Sequence, residues 1–347
     1  MTAFWLWAGF ILFVLLFVVA DLVIFHRRGQ VISMRTALIW TALCVGLAAL
    51  FVPILYVIYE NHYFGMGAEH GRFAEIRGMR ASAYFVQAFV MEKALSVDNL
   101  FVFALIFRHF AVPREHQHRV LTWGIIATLI MRGTMIGMAV EMIEKWHWLL
   151  YCAGAFLVYT AVKMYFTKEE HEFDPAKSKA VKAIRWLVPI TSGYHGERFF
   201  ARENGKLGAT PLFLVLIVLN VVDVIFAVDS VPAVVGITQD PFLIFSSNMF
   251  AILGLRALYF VLAEAMDQFE YLKVSLIFVL AFVGCKMLVE GLYHLHKLET
   301  ILPASMHGLT SWLPDHPLEL NPLVSLGIIL GALTAGIVAS RMKIKPA

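Results

Sequence analysis

Long apolar runs alternate with short polar stretches over almost the whole chain. A helix needs roughly 20 residues to cross the hydrocarbon core of a bilayer. Nine runs are long enough, near 4–25, 36–59, 81–107, 120–143, 147–166, 211–236, 243–266, 272–291 and 322–340. The pattern predicts an all-α, polytopic membrane protein of nine transmembrane helices. Phe4 to Phe25 has no basic leader or small-residue cleavage site and is too long for a signal core, so it is expected to remain as an anchor.

Composition narrows the class. Of 347 residues, 60% are hydrophobic and only 15% charged, whereas soluble domains average about half and about a quarter. A soluble enzyme, a coiled coil and a disordered chain are therefore disfavoured. The net charge of +3 is spread over short loops with no basic stripe, so nucleic acid is not an expected partner and the lipid bilayer is. Cys44, Cys152 and Cys285 stand alone, with no CxxC spacing for a disulfide framework or soft-metal site. Neither HExxH nor GxSxG occurs, so no enzymatic activity is expected.

Positive charge sets the orientation. With the N-terminus outside, 18 of the 28 Lys and Arg residues fall in cytoplasmic segments and 5 in outer ones. The expected order is two spans and an outer loop (1–80), three spans (81–166), a cytoplasmic loop (167–210), three spans (211–291), an outer loop (292–321), and a last span with a cytoplasmic tail (322–347). Within the cytoplasmic loop, Asn204-Gly205 predicts a tight hairpin turn.

The two three-span blocks resemble each other. SVDNLFVFALIF aligns with AVDSVPAVVGI, matching Asp98 to Asp229 and, six residues upstream, Glu92 to Asp223. Further on, Arg132 matches Arg256 and Lys163 matches Lys286. A unit of three spans must invert on repetition, which predicts two inverted three-helix repeats, an architecture of secondary transporters with sites at the repeat interface. Antiparallel third and sixth spans place Glu92 and Asp229 in the outer half and Asp98 and Asp223 in the inner half. Pro232, three residues after Asp229, predicts local unwinding of the sixth span.

A buried carboxylate in a bilayer must pair, protonate or bind something. Glu92, Ser96 and Asn99 share one helical face, and Asn220, Asp223 and Ser230 share another. Carboxylate, amide and hydroxyl oxygens suit hard divalent cations such as manganese, magnesium and calcium. Two close carboxylates also tend to hold a proton, which suggests metal/proton exchange. The competing reading is structural pairing of the acids with Arg132 and Arg256, strengthened if Lys93 also points inward. Lys163 and Lys286 lie near helix ends and can snorkel to water. Ser247 and Asn248 could add oxygens or simply link helices. Outer residues such as Glu60 and His62 could hand over metal or be solvated loop.

These segments are similar to the TerC/Alx family within the lysine-exporter-like superfamily. The resemblance rests on EKALSVDNLFVF (92–103), RVLTWGIIATLIMRG (119–133), FLVYTAVKM (156–164), FFARENGKLGATPL (199–212), DVIFAVDSVPAV (223–234) and SSNMFAILGLRALYF (246–260). It implies manganese(II) export across the bacterial inner membrane, with relatives linked to tellurite resistance, alkaline-pH response and metal loading of exported proteins. The functional acids it implies are Glu92, Asp98, Asp223 and Asp229, with Asn99 and Ser230 beside them. One departure is Asn220, where relatives commonly carry Glu. The expected function is export of manganese(II) or a similar hard divalent cation, with no resident cofactor. The alternative is a membrane scaffold or chaperone that helps metallate or insert other proteins, using the loop 167–209 as its docking surface.

Overall fold

The computed structural model describes residues 2–24, 34–68, 75–146, 148–166, 191, 193–203, 206–265, 272–297 and 321–343. Among these lie helices α1 (Thr2–Ile24), α2 (Met34–Glu60), α3 (Gly78–His109), α4 (Arg114–Lys145) and α5 (Trp148–Phe166), followed by α6 (Pro211–Val235), α7 (Pro241–Ile252), α8 (Leu255–Ala265), α9 (Leu272–Lys297) and α10 (Pro322–Lys343). Among the described residues, α1, α2, α4, α6 and α10 are long and apolar enough to cross a membrane, and the bent pair α7 and α8, counted as one span, brings the number to six. Length and apolarity alone thus count five or six spans where the sequence pattern predicts nine. In α3 the reason is visible, since Glu92, Lys93 and Asp98 interrupt its apolar middle.

Two details of the expected helices are corrected. The run 243–266 is not one helix: it breaks at Leu253 and Gly254, and the two halves meet at 47°. Gly254 has φ +81°, and a Cβ there would stand 2.7 Å from Cys44 Sγ, so only glycine meets both the turn and the close approach. Conversely, α6 runs unbroken through Pro232. Pro232 sits in the last turn of that helix, where its missing N–H removes one hydrogen bond and the chain leaves the helix anyway.

The core has two parts. In one, Phe10 of α1, Phe51 of α2, Phe85 of α3, and Phe242 and Phe250 of α7 form an aromatic cluster with ring centroids 5.0 to 6.4 Å apart. In the other, α5 crosses α9 at two glycines. A Cβ on Gly284 would lie 2.9 Å from the Gly154 carbonyl oxygen, and one on Gly154 would lie 2.9 Å from Met287 Cβ. Small residues at such crossings let backbones approach where lipid supplies no hydrophobic drive.

Strands β1 (Phe200–Glu203) and β2 (Lys206–Ala209) pair antiparallel with Phe200 opposite Ala209, flanking the predicted turn. The turn residues Asn204 and Gly205, and 167–190 of the expected docking loop, lie outside the described residues. The hairpin leads directly into α6, and the segment just before it is tied to α4 by Arg119 Nη1, which donates to Glu197 Oε2 at 3.1 Å.

Candidate functional site

Four helices each contribute one polar side chain to a single buried cluster: Glu92 from α3, Arg132 from α4, Asp223 from α6 and Asn248 from α7. Arg132 Nη1 donates to Glu92 Oε2 at 2.5 Å and Nη2 donates to Asp223 Oδ1 at 3.3 Å. Asn248 Nδ2 donates to the other Glu92 oxygen at 2.6 Å. The side chains of Arg132 and Glu92 are 1% and 0% exposed, so water screens neither. One guanidinium facing two carboxylates leaves an excess of one negative charge. A buried charge of this kind is costly without compensation.

This arrangement corrects the expected layering. Glu92 and Asp223, expected in opposite halves of the span, meet at a single planar guanidinium. The side chains of Asp98 in α3 and Asp229 in α6 lie outside the described residues. Ser96, Asn99 and Ser230 are buried as expected. Among the described residues, no group of three or more His, Cys, Asp or Glu side chains could hold a metal.

Several oxygens in and around the cluster are buried without a hydrogen-bond partner among the described residues: Asn220 Oδ1, Asp223 Oδ2, Ser230 Oγ and Asn248 Oδ1. Asn220 commits its amide nitrogen to the Leu216 carbonyl at 2.8 Å, and this leaves the amide oxygen as the free atom. Asn220 and Asp223 both line a cavity of about 20 Å³, together with Leu100 and Phe103 of α3, Leu121, Gly124, Ile125 and Thr128 of α4, Leu219 of α6 and Leu255 of α8. Buried polar atoms are normally satisfied, so unpartnered oxygens at a cavity mark a place for an ion or for water.

Two basic residues that the structural-pairing reading could draw in, Lys93 and Arg256, are placed away from the cluster of Glu92 and Asp223. Lys93 turns to the α7–α8 break, where its Nζ donates to the Leu253 carbonyl at 3.1 Å. That contact covers one of the carbonyls exposed at the end of α7, and a cation is favoured there by the helix dipole. Arg256 pairs with Asp21 of α1 at 2.8 Å and donates to Thr122 Oγ1 of α4 at 2.8 Å. It therefore neutralises an acid outside the repeats. Asp21, Gly124 and Thr128 were missed by sequence reasoning. Only Asp21 carried a signal, as an acid at the end of an apolar run.

On the other side of the bundle, Glu60 and His62 are engaged in structure. Glu60 Oε2 accepts from the Gly78 N–H at 3.1 Å, and His62 Nε2 lies 3.2 Å from Glu75 Oε1. A hydrogen bond from Arg77 Nε at 3.1 Å, with the charge of Arg77 behind it, holds the exposed Glu75 carboxyl below its usual pKa.

Residues 78–346 match the family model described as the integral membrane protein TerC family. The chain is 39% identical over 338 residues to the uncharacterized membrane protein STKORF319 of Myxococcus xanthus, an alignment covering 97% of this chain and 92% of that one. It is also 40% identical over 294 residues to a protein of Photorhabdus laumondii and 38% identical over 291 residues to one of Escherichia coli. Those alignments cover 84% of this chain and 88% and 87% of the relatives, both called Alx and described by name as proposed membrane-bound redox modulators. No solved structure matches the chain.

Proposed function

The chain belongs to the TerC family of integral membrane proteins, and from that premise we propose that it exports manganese(II) or a similar hard divalent cation across the bacterial inner membrane, with protons moving the other way. The observation that carries this reading is the pair of buried, unpartnered oxygens, Asp223 Oδ2 and Asn220 Oδ1, at one cavity. Both are hard donors, and the cluster behind them holds an excess negative charge that a cation offsets.

The residues divide the work. Glu92 accepts from Arg132 and Asn248 through both oxygens, so it fixes the geometry and is not the free ligand. Asp223 is held by one oxygen and offers the other to the ion. Asp98 and Asp229 belong to the same two helices and are the further acids of the proposed site, with Asn99 and Ser230 as its neutral oxygen donors. Ion binding at paired carboxylates displaces protons, and this links the two fluxes.

Nine spans with the N-terminus outside and the C-terminus inside agree with the distribution of Lys and Arg. Inverted repeats are supported by an exchanged packing pattern: α3 packs chiefly on α7, α6 chiefly on α4, and α5 on α9. Two copies related by a pseudo-twofold axis would pack in this way.

The test is manganese flux in proteoliposomes. Asp223→Asn is expected to lower flux about tenfold or more, and Asp98→Asn and Asp229→Asn to do the same, in proteins shown to be folded. Unchanged flux in Asp223→Asn would make the cluster a structural one. Flux indifferent to an imposed pH gradient would remove the proton from the scheme.

A further inference from the structure

One residue, Thr210, separates the hairpin of β1 and β2 from α6, a helix long and apolar enough to cross a membrane. Thr210 also clamps the two together: its N–H donates to the Phe199 carbonyl at 2.9 Å and its hydroxyl to the Arg198 carbonyl at 2.7 Å. The hairpin is therefore fixed at the level where this span meets the edge of the bilayer. We propose that its open face docks on the leaflet there, with Phe200 and Leu207 in the lipid and Arg198 and Arg202 on the phosphates of anionic headgroups. By the distribution of Lys and Arg, that leaflet is the cytoplasmic one.

The register decides which side chains share a face. Residues directly opposite each other in an antiparallel pair point the same way, and neighbours along a strand alternate. Phe200 with Ala209 and Arg202 with Leu207 thus make one face, and Ala201 with Gly208 makes the other. The second face is buried. On the first, Phe200 and Leu207 are 48% and 63% exposed, and Arg202 is exposed beside them. Arg198, just before β1, is exposed as well.

Continuity and charge say what covers the open face. The ring of Phe200 lies 4.7 Å from that of Phe213, in the first turn of α6. From Phe213 the less buried side of α6 runs through Ile217 and Val221 to the exposed Ile225 and Val228. These positions recur every three or four residues and form one apolar stripe, the side that a spanning helix turns to lipid. Phe200 and Leu207 prolong that stripe past the end of the helix. The two arginines add the complement of an anionic headgroup, since a guanidinium meets a phosphate through paired N–H groups. Glu197 is committed to Arg119, and Glu203 belongs to the opposite face, so neither acid opposes the docking. An aromatic ring and arginines at this depth are the composition of an interfacial anchor.

The test places the full chain in nanodiscs of phosphatidylcholine, alone or with phosphatidylglycerol, and follows hydrogen exchange at 200–209. Phosphatidylglycerol should slow exchange about fivefold or more in the natural protein, which is about what one arginine gains near an anionic surface. The double variant Arg198→Gln with Arg202→Gln, changed only at exposed positions, should lose that response. A nitroxide on Leu207→Cys, in a chain with Cys44, Cys152 and Cys285 replaced by alanine, should be reached by oxygen from the lipid and shielded from a water-soluble nickel complex. Exchange indifferent to phosphatidylglycerol, an equal response in the double variant, or a label open to nickel would each overturn the proposal. A label shielded from both probes would also overturn it, in favour of a protein cover such as the segment 167–190 or a second copy. Should the alanine-replaced chain fail to fold, the exchange comparison decides alone. No outcome here requires ion flux, so failure of this proposal is separate from failure of the transport reading.

Discussion

Arg132 and Arg256 occupy matching places in the two similar halves of the sequence, yet their surroundings differ in kind. Arg132 faces two carboxylates, with a cavity and unpartnered oxygens beside it. Among the described residues, Arg256 pairs with Asp21, which lies on a helix outside the halves, and donates to a threonine hydroxyl. Among the described residues, two acids meet at the first arginine and Asp21 meets the second. Arginines at matching sequence positions thus keep different company: Arg132 joins α3, α4 and α6 beside a cavity, whereas Arg256 ties α8 to α1 and α4.

The comparison is broken most forcefully by Arg132→Met. It leaves Glu92 and Asp223 buried without their counter-charge, and about 3–5 kcal/mol of stability should be lost, read by denaturation in detergent. Asp21→Asn tests the other cluster. It replaces a charged partner of Arg256 and should cost about 1.5–3 kcal/mol in the same assay, while manganese flux stays near natural because Asp21 does not line the cavity beside Asp223. Equal loss of flux in both variants would erase the distinction between the two arginines. The smallest effect concerns Glu75, far from both clusters. Its folded pKa is depressed, so its contribution is present above the usual value of 4.5 and is lost as pH falls through the folded value. Hydrogen exchange around residues 75–78 should quicken slightly over that acid range in the natural protein and not in Glu75→Gln.

Much of this was legible in the chain. Apolar runs located the helices because their length must match the hydrocarbon core, and Asn-Gly located the hairpin because its residues suit the turn. The scarcity of charge in those runs singled out Glu92, Asp223 and Arg132. What stayed hidden was relational. Nothing in the local pattern says that one guanidinium spans Glu92 and Asp223, since relative depth depends on how α3 and α6 slide against α4. Asn248 was visible as an amide in an apolar run, but its partner is 156 residues away. Lys93 resembled a member of the acid cluster until the break after Ile252 supplied a carbonyl for it.

The break at Gly254 also has a mechanical consequence. Leu255, a wall of the cavity, is the next residue, and Arg256 after it grips α1 through Asp21. Adjacent residues after the break thus serve different neighbours: Leu255 closes the cavity and Arg256 ties α8 to α1, so the cavity wall and the first helix are joined through a single peptide unit.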